Sequence, residues 1–290
     1  MREVAYHMPN NIETLERILT ESKKPLGIVA GGTDFMIKYR AHPDRYEALL
    51  DISGVKELSK IIETDEYIHI GSLVTLTEVS ESSVIQIWCP ALSKAAGMVG
   101  STQIRNRGTV AGNIANASPC ADTAPPLMAY DAKVKTYHPE HGVRIKTVDD
   151  VMVGMGKNML LANEVILGVI IPKIRERKRE GFMKVGSRKA VTISKLNLCI
   201  VLILDEKNIV VDARVAIGSL GPKAFRIEKA EALLSGQTCE RALLTELSNA
   251  LSEQVVSSIS GRSSMPYKRQ AVKGLADDVL TQILAEREEA

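Results

Sequence analysis

The sequence predicts an α+β protein: two small α/β subdomains, then a lobe of antiparallel strands and helices. Three observations carry this reading. Two stretches rich in Gly, Thr and Asn lie about eighty residues apart, around Gly31-Gly32 and Gly112. Short apolar strands alternate with helical patterns as far as Pro172. Beyond it, three strand patterns precede three helical ones, the order expected of helices packed on an antiparallel sheet. The expected division is 1–175, with subdomains of about 1–55 and 56–175, followed by 176–290.

The elements follow in order. Residues 1–26 read as a short strand and an amphipathic helix, turned by Pro9 and Asn10-Asn11, with Ile12, Leu15, Ile18 and Leu19 at helical spacing. Leu26 to Val29 begins the strand that feeds the first glycine loop, and Phe35 to Lys38 opens a helix. Ala48 to Ile52 is a buried strand, and Val55 to Leu58 one helical turn. Tyr67 to Ser72 is a strand, and Thr75 with Glu78 has capping-box spacing. Pro90 to Gly97 is a helix with proline in its first turn and glycine near its end. Pro125 to Tyr130 is a helix, Asp131 to Tyr137 a half-exposed strand, and Val165 to Pro172 a buried strand closed by proline. Lys173 to Arg179, with five basic residues among seven, reads as a solvated linker. Strands follow at Gly181 to Ser187, Leu198 to Leu204 and Val210 to Ile217. Helices follow at Ala224 to Leu234, Ala242 to Ser258 and Tyr267 to Arg287.

The stretch Gly108 to Asp122 organises the chain. It holds small residues, hydroxyls and carboxamides and almost no bulk. A core strand would carry larger side chains, and a helix interior disfavours so many Gly and Asn, so an irregular cradle is expected. Ile28 to Asp34 is a second stretch of the kind, placed between a strand and a helix start. Such backbone approaches a guest closely and aims amides at a phosphate. The guest that suits both stretches is a dinucleotide, with its diphosphate and hydroxyls.

Composition excludes other classes. With 37 basic and 35 acidic residues the net charge is only +2, which argues against a nucleic-acid binder, and 4% aromatic content argues against a base-stacking platform. The N-terminus has no apolar signal region, and the longest apolar run, Cys199 to Leu204, is too short to span a bilayer. Cys89, Cys120, Cys199 and Cys239 have no C-x-x-C spacing and read as reduced thiols of a cytoplasmic protein. No G-x-G-x-x-G, Walker A or G-x-S-x-G pattern is present, and Gly154-Met155-Gly156 lacks the third glycine. His138 and His141 flank a proline turn and read as a surface pair, so no metal site is expected.

The two glycine stretches resemble the paired FAD-binding motifs of the flavoprotein (medium) subunits of molybdenum hydroxylases. The likeness extends to Gln103-Ile104-Arg105-Asn106, Asp122 and Tyr130-Asp131-Ala132-Lys133 and covers essentially the whole chain. It is strongest to the separate FAD-binding subunit of bacterial xanthine dehydrogenases. It implies a two-subdomain FAD-binding fold of the vanillyl-alcohol oxidase and MurB-like (PCMH) type plus a C-terminal α+β lobe. By that resemblance Gly27, Ile28, Val29, Ala30, Gly31, Gly32, Thr33 and Asp34 line the diphosphate and ADP side of FAD. Thr109, Val110, Ala111, Gly112 and Asn113 contact it from the other side, with Asn116 and Ser118 close by. Asp122, Ile166 and Lys184 fall on further cofactor-contact positions. Read alone, Asp122 would cap a helix beginning near Thr123, Ile166 would be core and Lys184 surface. Ala111 departs from the glycine usual in relatives.

The resemblance implies an oxidoreductase subunit with no catalytic acid, base or nucleophile of its own. Its partners would be a two-iron two-sulfur small subunit and a molybdopterin large subunit, in a heterotrimer or its dimer. Electrons would arrive from the iron–sulfur clusters and leave as hydride to NAD. No iron–sulfur cluster is expected in this chain, because its cysteines are scattered. The alternatives are the subunit of a nicotinate or carbon monoxide dehydrogenase type with another acceptor, a stand-alone NADH-oxidising flavoenzyme, and a cofactor-free assembly scaffold.

Overall fold

In the computed structural model, residues 4–188 and 190–285 are described. Met1 to Glu3, and Glu286 and Arg287 of the last predicted helix, lie outside the described residues. Ala5–His7, Ala48–Asp51 and Gly27–Val29 form a parallel sheet with Ala48–Asp51 at its centre. The helix Ile12–Glu21 starts at Asn11, whose Oδ1 accepts from the Thr14 amide at 2.8 Å. Its buried face, Leu15 and Leu19, packs on Leu26, Leu50 and Ile52, and the same cluster takes in Val165 and Leu167 from the next sheet. The first sheet is therefore seated on the second by a shared apolar core.

The second sheet is antiparallel throughout, in the order Ile61–Glu63, Tyr67–Gly71, Val165–Pro172, Lys133–His138, Gly142–Thr147. Strand alternation puts Ile68, Ile70, Val134, Val169 and Ile171 on one face, under helices that contribute Leu76, Val79, Leu92, Ile114 and Leu127. The capping box forms in full: Thr75 Oγ1 accepts from the Glu78 amide at 3.2 Å and Glu78 Oε2 from the Thr75 amide at 2.7 Å.

The third sheet runs Lys178–Val185, Leu196–Leu204, Val210–Gly218, Phe225–Arg226. Its central strand, which holds the longest apolar run, is buried at all nine positions. One face, with Phe182, Cys199 and Val201, joins the core of the second sheet. The other, with Leu198, Ile200 and Leu202, is covered by the helices Leu243–Ile259 and Met265–Ala285. No helix among the described residues is long and apolar enough to cross a membrane.

Two expectations fail here. The helix expected from Ala224 begins only at Glu228, because Phe225 and Arg226 pair with Ile217 and Ala216 at the sheet edge. The basic run is a solvated linker only in its middle: residues 175–177 are exposed between two strands, while its ends are built into the fold. The Lys173 side chain is 7% exposed, bonded to Glu63 at 2.5 Å and stacked 4.2 Å from the Trp88 ring centre. Lys178 and Arg179 already belong to a strand, and Arg179 is buried. His138 is likewise structural: Nε2 donates to the Ala162 carbonyl and Nδ1 accepts from the Glu140 amide, so both ring nitrogens are engaged.

Glu164 closes the hairpin Lys133–Thr147 from beneath. Its carboxylate is fully buried between Lys146 at 2.7 Å and Arg144 at 2.8 Å and accepts from Thr136 at 2.6 Å. Burial alone would raise its pKa, but Lys146, the Thr136 hydroxyl and the Leu161 amide outweigh that and hold it at about 2, against an ordinary 4.5. A depressed carboxylate stabilises the fold above its unfolded pKa and loses that contribution as pH falls through the folded value. Urea unfolding should therefore show a stability loss of about 3 kcal/mol from this group between pH ~4.5 and ~2. That pH-dependent contribution should be absent in Glu164→Gln.

Candidate functional site

The first glycine loop leaves the strand Gly27–Val29 and enters the helix Phe35–Ala41. Gly32 makes the turn with φ +74°, a left-handed geometry that costs other residues strain. Gly31 serves a different need. A Cβ there would lie 1.8 Å from the Arg107 carbonyl oxygen and 3.1 Å from the Gly108 Cα. The backbone of the first loop thus rests directly on the backbone entering the second. Thr33 Oγ1 lies beside Gly108, and Asp34 is exposed with no capping bond. Ile28 packs against the apolar cluster of the first sheet and Val29 is buried, while Gly27 is hemmed in by Phe35, Leu49 and Tyr46.

The second stretch is not an irregular cradle: Val110–Asn116 is an α-helix. Thr109 is its N-cap and Oγ1 accepts from the Gly112 amide at 2.9 Å. Val110, Ala111 and Ile114 are buried in the main core, and that packing outweighs the poor propensity of Gly112, Asn113 and Asn116. Helical φ at Ala111 is negative, so alanine is accommodated there without strain. The helix stops at Ala117, in the left-handed region with φ 50°. Thr109 also forms an isolated antiparallel bridge with Thr75, and the Leu76 amide donates to the Gly108 carbonyl at 2.8 Å.

These contacts leave a cleft of about 130 Å³ between the loops. Ala30, Gly31 and Thr109 line it among the expected residues, together with Ser53, Ser59, Leu73, Thr75, Asn106 and Arg107. Its polar lining is hydroxyls, one carboxamide and one guanidinium, with no carboxylate, which is the donor set a diphosphate requires. Asn106 belongs to the stretch that precedes the second motif; Arg107, which by sequence alone reads as a solvated flank, instead lines the cleft, and Ser53, Ser59 and Thr75 carry no sequence signal of this role.

The other expected residues lie apart from this cleft. Asn116 Oδ1 accepts from Lys38 Nζ at 2.5 Å, tying the two post-loop helices together. Asn113 Oδ1 accepts from Thr123, and Ser118 Oγ from the Cys120 amide. Ile166 is a core residue of the central strand of the second sheet. Asp122 does not cap the following helix, and Lys184 is not at the surface. They form a buried ion pair at 2.6 Å, with side chains 6% and 4% exposed. Ser194 Oγ donates to Asp122 Oδ1, and Asn197 Nδ2 donates to the same oxygen at 2.8 Å. Lys184 spends its remaining donors on the carbonyls of Met98 at 2.7 Å and Thr192 at 3.3 Å. This seam joins the third sheet to the segment after the second motif. Ser194 and Asn197, distant in sequence, were not read as part of it.

Two glycine-bearing segments, one leaving the strand Gly27–Val29 and one opening the helix Val110–Asn116, close on one cleft without a carboxylate in its lining; that arrangement suits a diphosphate-bearing cofactor. Residues 2–174 match the family described as the FAD binding domain in molybdopterin dehydrogenase, and the chain belongs to it. Residues 182–283 match the CO dehydrogenase flavoprotein C-terminal domain. The chain is 29% identical to the nicotinate dehydrogenase FAD-subunit of Eubacterium barkeri, over 99% of this chain and 98% of that one. It is also 29% identical to the xanthine dehydrogenase FAD-binding subunit of Escherichia coli O157:H7, over 97% and 96%. Among solved structures, carbon monoxide dehydrogenase from Hydrogenophaga pseudoflava shares the fold with a TM-score of 0.86 at 23% identity, covering 98% of both chains.

Proposed function

We propose that this chain binds FAD through its two glycine segments and serves as the electron-transferring subunit of a molybdenum hydroxylase that oxidises an N-heteroaromatic substrate. The observation that carries this is the contact of the Gly31 backbone with Arg107 and Gly108 at a cleft lined by hydroxyls and one guanidinium. Ala30, Gly31 and Thr109 would hold the diphosphate with Arg107 as counter-charge. Asp122, Lys184 and Ile166 would shape the site from the third sheet and the core. FAD supplies the redox chemistry when bound. The protein's own part is to hold the cofactor, exclude water and supply fixed dipoles; no side chain moves a proton. The proposal includes NAD as acceptor, a two-iron two-sulfur subunit and a molybdopterin subunit as partners, and a cytoplasmic complex. Equal identity to a nicotinate and a xanthine enzyme supports a heteroaromatic substrate without choosing between them.

Titration of the purified apo-chain with FAD tests the first step. One equivalent bound, read by quenching of flavin fluorescence and by the visible spectrum, is expected. A chain that takes up no FAD returns it to the scaffold reading. NADH-dependent reduction of an artificial acceptor by the loaded chain tests the choice of NAD.

A further inference from the structure

The polar side chains that line the glycine-loop cleft differ in what they still have to give. Thr75 is spent: Oγ1 accepts from the Glu78 amide at 3.2 Å and donates to Glu78 Oε2 at 2.7 Å. Thr109 Oγ1 accepts from the Gly112 amide and keeps its own hydrogen. The Ser53 amide is bound to Asp51 Oδ1 at 2.9 Å. Asn106 is set by a residue that does not line the cleft. Thr77, in the helix Leu76–Glu81, donates its hydroxyl to Asn106 Oδ1 at 2.6 Å.

That bond fixes what Asn106 can offer. A carboxamide has one acceptor oxygen and an NH2 with two donors. Thr77 takes the oxygen, and Nδ2 has no hydrogen-bond partner among the described residues. Asn106 therefore meets the cleft as a donor. The main chain beneath it is fixed as well. The Asn106 amide donates to the Thr102 carbonyl at 2.9 Å, the Gly108 amide to the Ile104 carbonyl at 2.6 Å, and the Arg107 carbonyl lies against Gly31. Arg105, the preceding residue, is used on the carbonyls of Val99 at 3.2 Å and Gly100 at 3.3 Å. Asn106 and Arg107 are left side by side at the cleft, a neutral donor next to a guanidinium. A donor beside a cation suits an anionic oxygen. An exposed side chain loses rotamer freedom when it binds, and one already held by a hydroxyl loses less.

We propose that Asn106 Nδ2 donates to a diphosphate oxygen of the bound dinucleotide and that Thr77 is the positioning residue that turns it there. This rests on the reading of the cleft as the diphosphate site. Arg107 supplies charge, and Asn106 supplies direction.

FAD is titrated into the purified apo-chain by fluorescence quenching, at low and at high salt. Asn106→Asp keeps the size of the side chain and an acceptor for Thr77 but puts an anion where the donor was. It should weaken FAD binding by at least ~100-fold, and added salt should shrink that loss. Asn106→Ala should cost at least ~10-fold. Thr77→Val should cost at least ~5-fold, and Thr77→Ser should hold affinity within about twofold of the parent. In the Asn106→Ala background Thr77→Val should cost nothing further, because it acts only through Asn106. A merely structural Thr77 would cost the same in both backgrounds. That result overturns the proposal, as does parent-like FAD binding by Asn106→Asp. If the parent takes up no FAD, the flavin reading fails by itself, and calorimetric titration with ADP, which carries the diphosphate without the flavin, decides this one. ADP bound by the parent and at least tenfold more weakly by Asn106→Asp upholds the proposal, and any other ADP result overturns it.

Discussion

Gly31→Ala is expected to lower FAD affinity by at least ~100-fold, about 2.7 kcal/mol. The added Cβ would sit 1.8 Å from the Arg107 carbonyl oxygen, well inside any permitted contact, and the obstacle is backbone rather than a flexible side chain. Relief therefore requires the two segments to separate, which opens the cleft that both must line. The bulk of the fold should survive, because the apolar clusters on either side do not include Gly31. Gly274→Ala is the matched control: nothing lies within 4 Å of its added Cβ, and it sits inside the helix Met265–Ala285. It should stabilise the chain by about 0.5–1 kcal/mol and leave FAD affinity unchanged. Fluorescence titration of both variants beside thermal melts decides the matter. Normal FAD uptake by Gly31→Ala would mean that the contact between the segments is not what forms the site.

The second large effect belongs to Lys184. Lys184→Met leaves the Asp122 carboxylate buried with Ser194 and Asn197 as its partners and no counter-charge. Removing one member of a buried pair costs about 3–5 kcal/mol, far more than the pair contributes net. The loss should appear as a lower urea midpoint. Lys184→Met combined with Asp122→Asn should recover part of it, because no charge is then stranded. The seam also sets the third sheet against the segment following the second motif, so FAD affinity should fall with Lys184→Met and return in part in the double variant. A single variant as stable as the parent would show that water already reaches Asp122.

Much of the fold was legible because its signals are local. Asn11 and Thr75 cap helices through atoms three residues away, and the alternation in Lys133–His138 is a property of one strand. The spacing of the two glycine segments likewise pointed to a shared guest, and the fold does bring Ala30, Gly31 and Thr109 to one cleft. The failures are equally physical. Val110–Asn116 has weak helix formers, yet three buried apolar side chains and one capping hydroxyl hold it helical. Phe225 and Arg226 lie in a helical pattern but are taken by a sheet edge contributed by Val210–Gly218.

Turn chemistry, capping and periodicity thus determined where this chain bends, where its strands lie and which two segments can approach an anion, since each depends on neighbours within a few residues. Only the tertiary structure decided where its charges go. Lys173 finds Glu63 from 110 residues away, Lys184 finds Asp122 from 62 and Asn197 finds Asp122 from 75. A charge becomes buried and paired, or exposed and available to a partner, according to which distant segments meet around it.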